Sequence, residues 1–287
     1  MLRVTLAAPE PISDALLAIV GDVDVHAGPT SFGHVAHALV DHDDPEALRA
    51  ELRDASQNAA VGVIDGALAE ENAQILMLDV DSTLTTTEAI DLLAEHAGRG
   101  DEVAAITEAA MRGELDFEQS LRQRVATLKG LPTSIFDEVQ PRMTLSPGAQ
   151  DLLEICRRRG VKVGVTSGGF NQLVGPLAEQ LRLDFFHANE LETVVRDGQE
   201  QLTGGVIGTI VDRAQKSRDL REFAARFDVP LSHAVAVGDG ANDLTMLATA
   251  ALGIAYCAKP APAAQADVAI PFPRLDAVAA FAFPDHA

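Results

Sequence analysis

The chain has 287 residues, 47% of them hydrophobic and 23% charged, which fits a globular protein long enough for two domains and excludes a disordered or fibrous one. Its 43 acidic against 22 basic side chains leave a formal charge of −21. That field repels nucleic acid and anionic membranes, so neither is expected as a partner, and an anionic substrate would have to be drawn in by a local cluster or a bound metal.

The N-terminal stretch carries Glu10 and Asp14 inside its apolar pattern and does not read as a secretory leader. The longest uncharged run nearby, residues 244–258, is shorter than the ~20 residues a membrane helix needs, so a cytoplasmic location is expected. Residues 1–72 read as a small α+β unit. "LRVTLA" is a strand, "PISDALLAIVG" a helix closing at Gly21, and "VDVHA" and "FGHVAHALVD" are strands. "DDPEALRAELRDASQNA" is a helix opened by acids and Pro45, and "AVGVID" is a final strand. The order βαββαβ predicts a sheet with helices on one face.

From residue 73 the texture changes. "ILMLDVD", "VKVGVTSGG", "AVAVGDG" and "LGIAYC" are apolar through and through, as strands buried on both faces are. They predict a Rossmann-like parallel sheet over residues 73–287, with ligands bound beyond the carboxyl ends of its strands. A helical insertion over about 88–140 follows the first run and is positioned to cover that end as a cap. Asp197-Gly198, between two β-prone runs, predicts a hairpin. Cys156 and Cys257 lack metal or redox spacing and read as small core residues.

Polar residues converge at these strand ends. Asp79 and Asp81 leave the first strand two apart, too close for two negative charges unless one holds a proton or a cation sits between them. A lone DxD is more often a solvated turn than a site. Asp239, between glycines in "GDGAND", adds a third acid suited to the oxygen shell of Mg²⁺. "VTSGGF" offers the Ser167 hydroxyl and the backbone N–H of Gly168 and Gly169 to phosphate oxygens. Lys216 would be an ordinary surface lysine unless an anionic substrate needs a fixed cation.

"LDVDSTLTTTEAID", "MRGELDFEQSLRQRV", "VTSGGF", the Lys216 segment and "VGDGANDLTML" together resemble the haloacid dehalogenase superfamily and, within it, the phosphoserine phosphatase branch. The resemblance spans about residues 74–271. It implies that Asp79 is the nucleophile and that Asp81 is the acid and base. Mg²⁺ would be held by Asp79, the Asp81 backbone carbonyl and Asp239. Ser167, Gly168 and Lys216 would hold the phosphoryl group, Asn242 would touch substrate, and Asp243 would support the metal and the lysine.

The same resemblance puts Glu88 on the substrate ammonium, Arg124 on its carboxylate, and Met111 and Phe117 on the apolar wall of the cap. The implied reaction is hydrolysis of O-phospho-L-serine through an aspartyl-phosphate, the last step of serine biosynthesis. Phosphothreonine and phosphohomoserine are the alternative substrates, and an amino-acid sensor without catalysis is the alternative class. The small N-terminal unit resembles an ACT domain in element order, which leaves a regulatory role or homodimerisation open.

Overall fold

The computed structural model describes residues 1–21, 26–56 and 58–285, and among them two sheets carry the chain. The first is built from β1 (Leu2–Ala8), β2 (His26–Thr30), β3 (Gly33–Val40) and β4 (Ala60–Ile64), with α1 (Asp14–Val20) and α2 (Pro45–Ala55) between strands. Its order is β2-β3-β1-β4, antiparallel throughout. The strand expected from "VDVHA" begins at His26; residues 23–25 of that expectation lie outside the described residues. Both helices start where the sequence supplies a cap: Ser13 Oγ accepts from the Leu16 N–H at 3.2 Å, and Asp44 Oδ1 from the Ala47 N–H at 3.0 Å.

One face of this sheet follows the expectation, with Leu2, Val4 and Leu6 of β1 packed under Leu16, Leu48 and Leu52. On the other face the alternate residue Arg3 is only 2% exposed. Its guanidinium donates to the Leu68 and Phe281 carbonyls, both at 2.7 Å, and to that of Ala280 at 3.2 Å. A buried cation survives because carbonyl oxygens replace its water. The second face of the small sheet is therefore sealed against the rest of the chain.

The second sheet takes β5 (Ile75–Leu78), then α3 (Ala89–His96), α4 (Gly100–Met111), α5 (Phe117–Ala126), α6 (Ile135–Val139) and α7 (Ala149–Arg158) before β6 (Lys162–Phe170). It continues through α8 (Asn171–Leu181), β7 (Phe185–Arg196), β8 (Gln199–Ile207), α9 (Arg213–Arg226) and β9 (Ala234–Gly238). Last come α10 (Leu244–Leu247), β10 (Leu252–Tyr256), α11 (Pro260–Gln265), β11 (Val268–Ile270) and α12 (Val278–Ala282). The order is β11-β10-β9-β5-β6-β7-β8, parallel except for the β7–β8 pair.

Leu76 and Leu78 of β5 face one hydrophobic core and Ile75 and Met77 the other, the two-sided burial that the apolar runs predict. Asp197 and Gly198, at φ 50° and 78°, make the turn between β7 and β8. Among the described residues no helix is long and apolar enough to cross a membrane.

Helices α3 to α6 form a cap between β5 and β6, tied to the sheet in two places. At the root, the Thr86 N–H donates to the Thr144 carbonyl at 2.8 Å and the Ser146 N–H to that of Leu84 at 2.9 Å. Farther out, β8 pairs with the segment after α5: the Gly130 N–H meets the Leu202 carbonyl at 2.8 Å, and the Leu202 N–H meets that of Leu131 at 2.9 Å.

Cys156 is buried as expected, whereas Cys257 is exposed and corrects the reading of both as core. It lies one residue past the end of β10 at φ 45°, where the backbone has left the sheet geometry that buries Tyr256.

Candidate active site

Strand ends bring the acids together. Asp79 follows β5, and its N–H is fixed by the Val237 carbonyl of β9 at 2.9 Å, so the first acid is set by the same ladder that builds the sheet. Asp239 follows β9 directly, and Asp243 returns one turn later to accept from the Gly240 N–H at 2.9 Å. Only a glycine fits at Gly238, where a Cβ would stand 2.4 Å from the Asp243 carboxyl carbon. Oxygens of Asp79, Asp239 and Asp243 lie within 4.8 Å of one another.

Lys216, on α9, is completely buried and donates to Asp79 Oδ1 and Asp243 Oδ1, both at 2.7 Å. Two of the three carboxylates thus share one ammonium and the third has none, so the cluster is short of positive charge. Burial, followed by Asp243, pushes the Asp79 carboxyl well up despite Lys216, and burial with Asp243 pushes Asp239 to about 6. Burial alone would lower the lysine, but Asp243 and Asp79 outweigh it and hold it charged. A set of hard oxygen ligands with excess negative charge fits a divalent cation.

Asp81 points elsewhere. Its carboxylate accepts from the Ala89 N–H at 2.8 Å and from the Ser167 hydroxyl at 3.2 Å, on the side of the cap root. Burial, then the nearby Glu88, raises it to about 7. The chain between them forms one wide turn, Val80–Leu84, with Ser82 at φ 59°. The Ser82 hydroxyl donates to Glu88 Oε1 at 2.9 Å, holding the acid at the start of α3. The two aspartates therefore serve different surroundings, one in the cation-seeking cluster and one next to a hydroxyl.

Between these strand ends and the cap lies a cavity of ≈ 640 Å³. Asp79, Asp81, Glu88, Met111, Phe117, Arg124, Gly168, Asp239 and Asn242 all reach its wall. Ser167, Lys216 and Asp243 do not; Ser167 bonds Asp81 of the wall, Lys216 bonds Asp79, and Asp243 bonds that lysine. Phe117 reaches across from the cap until a Cβ at Gly168 would meet its ring at 3.3 Å. Arg124 makes no ion pair with the described residues, and its Nε is buried without a partner. Burial lowers its guanidinium, with Glu88, Asp91 and Asp81 opposing.

Gly169, whose N–H the sequence offered to phosphate, also lines the wall, where a Cβ would come within 2.8 Å of Asp81 Oδ2. Two other wall residues escaped the sequence reading. Arg213, at the mouth, donates to the Thr245 hydroxyl at 2.8 Å, and Thr107 looks in from α4. Neither carries a local motif.

Comparison with known proteins fits this geometry. The family model for haloacid dehalogenase-like hydrolases matches residues 76–248. Phosphoserine phosphatase SerB2 of Mycobacterium tuberculosis is 51% identical over 224 residues, covering 78% of this chain and 54% of the relative. The chain thus spans about half the length of that relative. Phosphoserine phosphatase of Streptococcus thermophilus is 52% identical over 201 residues, 70% of this chain and 92% of the relative. A solved structure described as a phospho-aspartyl intermediate analogue of phosphoserine phosphatase superposes with a TM-score of 0.66 at 41% identity, covering 72% of this chain and 98% of the other. The chain belongs to the haloacid dehalogenase-like hydrolases.

Proposed function

We propose that the chain is a Mg²⁺-dependent phosphomonoesterase that hydrolyses O-phospho-L-serine to L-serine and phosphate through an aspartyl-phosphate, the last step of serine biosynthesis. One observation carries the reading: a cation-short acid cluster at the strand ends faces, across a single cavity, an acid and an unpartnered arginine on the cap. Phosphoserine offers an ammonium for Glu88, a carboxylate for the planar fork of Arg124, and a phosphate for the strand ends. Phe117 and Met111 close the apolar side.

In this reading Asp79 Oδ attacks phosphorus and the ester P–O bond breaks. Asp81 gives its proton to the departing serine oxygen, which a carboxyl titrating near 7 can do at neutral pH. The Asp81 carboxylate then takes a proton from the water that attacks the phosphorus, and the Asp79–phosphorus bond opens to restore the enzyme. Ser167, Gly168 and Lys216 neutralise and orient the phosphoryl oxygens, and Asn242 contacts the substrate from the turn between β9 and α10. Asp79, the Asp81 carbonyl and Asp239 would hold the metal ion, with Asp243 supporting both it and the lysine. The bound ion supplies charge neutralisation for a transition state whose negative charge spreads over three oxygens.

The finer reading of residues 1–72 as an ACT-like unit, and homodimerisation through it, rest on the βαββαβ order, with residues 73–287 as the phosphatase and 88–140 as its cap. A panel of phosphoserine, phosphothreonine, phosphohomoserine and an aryl phosphate tests the function, with Asp79→Asn as the blank. Phosphoserine is expected to lead, and chelation or Asp79→Asn to lower its turnover by a factor on the order of 10⁴. A panel led by phosphothreonine or phosphohomoserine would move the enzyme to another small phosphoester, and undiminished release by Asp79→Asn would end the nucleophile assignment.

A further inference from the structure

The pairing of β6 with β7 breaks where the site begins. Partners run from Gly164 opposite Phe185 to Thr166 opposite His187, and resume at Phe170 opposite Asn189. Three residues of β6, Ser167, Gly168 and Gly169, thus stand against Ala188 alone. A bulge of this kind bends the strand and takes its backbone out of the ladder, so the freed groups need other partners. The Gly169 N–H donates to the Ser167 hydroxyl at 2.8 Å. The Gly168 carbonyl accepts from a side chain, Nδ2 of Asn189, also at 2.8 Å.

Asn189 is fully buried on β7, and the other half of its amide serves a different segment. Its Oδ1 accepts from the Val211 N–H at 2.9 Å. Val211 leads into α9. The next residue, Asp212, caps that helix: its carboxylate accepts from the Gln215 N–H at 2.7 Å and its carbonyl from the Lys216 N–H at 3.0 Å. Gly168 and Gly169 line the cavity on one side of this amide, Asp212 and Arg213 on the other, and Lys216 holds Asp79. The amide fits one way round only, because turning it over would set its oxygen against the Gly168 carbonyl and its NH₂ against the Val211 N–H. A second tie, from the Thr166 hydroxyl to Asp219 Oδ2 at 2.5 Å, keeps α9 on the regular part of β6. Asn189 acts past the break, where the ladder no longer does.

We propose that Asn189 is a positioning residue for phosphoryl transfer. By clamping Gly168 to the lead into α9, it sets the distance between the Gly168 N–H, which would meet a phosphoryl oxygen, and the pair of Lys216 and Asp79, which would meet the phosphorus. This rests on the phosphatase reading above. Asn189 touches no reacting atom and acts through the two backbone groups it joins.

The test compares wild type, Asn189→Leu and Asn189→Asp with Mg²⁺ saturating, on phosphoserine turnover and on inhibition by the two products, inorganic phosphate and L-serine. Leucine keeps the volume and removes both bonds. Aspartate keeps an acceptor for Val211 and sets a second oxygen against the Gly168 carbonyl. In both variants kcat is expected to fall about a hundredfold, the effect of a displacement on the order of 1 Å at the reacting atoms. The inhibition constant of phosphate should rise about tenfold, which is what one hydrogen bond to a charged group contributes. That of L-serine, whose ammonium and carboxylate meet Glu88 and Arg124 at the far end, should stay where it is. A purely structural asparagine would lower the melting temperature and the active fraction, and leave the phosphate constant of the folded enzyme unchanged.

Unchanged phosphate inhibition in folded Asn189→Leu, or an equal loss of affinity for phosphate and serine, overturns the clamp while leaving the phosphatase reading standing. Wild-type turnover by Asn189→Asp does the same, since the bond to Gly168 would then be dispensable. A wild type that hydrolyses no phosphomonoester removes the reading and the clamp together.

Discussion

The strand ends and the cap wall face each other across one cavity and are built on opposite terms. At the strand ends the acids are held inside the protein: Asp79 and Asp243 by Lys216, Asp81 by Ser167 and Ala89, Asp239 by the Thr83 hydroxyl at 3.1 Å. On the wall, Arg124 Nε and Thr107 Oγ1 have no hydrogen-bond partner among the described residues. Groups that perform chemistry gain from being fixed in advance, since reorganisation then adds nothing to the barrier. Groups that select a ligand gain from being unmet until it arrives, since a wrong ligand leaves them so.

The largest expected break in this contrast comes from Lys216→Met. Removing the shared ammonium strands buried Asp79 and Asp243, and losing one partner of a buried pair costs about 3–5 kcal/mol. Turnover is expected to fall by about 10³ or more and the melting temperature by about 10 °C. Wild-type turnover in that variant would mean that the strand ends are not organised around the lysine. Arg124→Lys tests the other side. It keeps the charge and loses the fork, so the phosphoserine KM should rise about tenfold with kcat within about threefold. The substrate-free melting temperature should hardly move; a clear drop would show that the wall is as internally held as the strand ends.

The smallest effect is on stability against pH in the metal-free protein. Asp81 and Asp239 are raised from 3.8 to about 7 and about 6, so between those limits the folded chain keeps protons that the unfolded chain has released. Stability then falls as pH rises through that window. His187, raised by its hydrogen bond to Asp219, acts in the same direction above its ordinary range. In chelator, calorimetry should find a melting temperature a few degrees lower at about pH 7.5 than at about pH 5.5. Saturating Mg²⁺ should remove the drop and Asp81→Asn should flatten it. A melting temperature that climbs over this range would refute the account of crowded acids.

What the sequence exposed, and what it hid, follows the same division. Asp79, Asp81 and Asp239 were legible because each ends an apolar run, and a parallel sheet brings its strand ends to one side. The hairpin was legible from Asp197-Gly198 because the turn chemistry is local. Lys216 was assigned only through the resemblance, since burial of a helical lysine depends on acids that arrive from two distant strands. The burial of Arg3 was not legible, because alternation along β1 does not reveal that the second face meets the Ala280 and Phe281 carbonyls. Cys257 was misjudged because the strand ended one residue earlier than its apolar run suggested. Thr107 gave no signal at all: a hydroxyl on a helix is common, and only its missing partner sets it apart.

The β7–β8 hairpin has a mechanical consequence. It grips the cap at Gly130 and Leu131, well away from the root at Thr86 and Ser146. A body held at two separated points keeps one easy motion, a swing about the line joining them. For the cap that axis runs from the root at Thr86 and Ser146 to the β8 tie at Gly130 and Leu131, and a swing about it breaks neither set of hydrogen bonds.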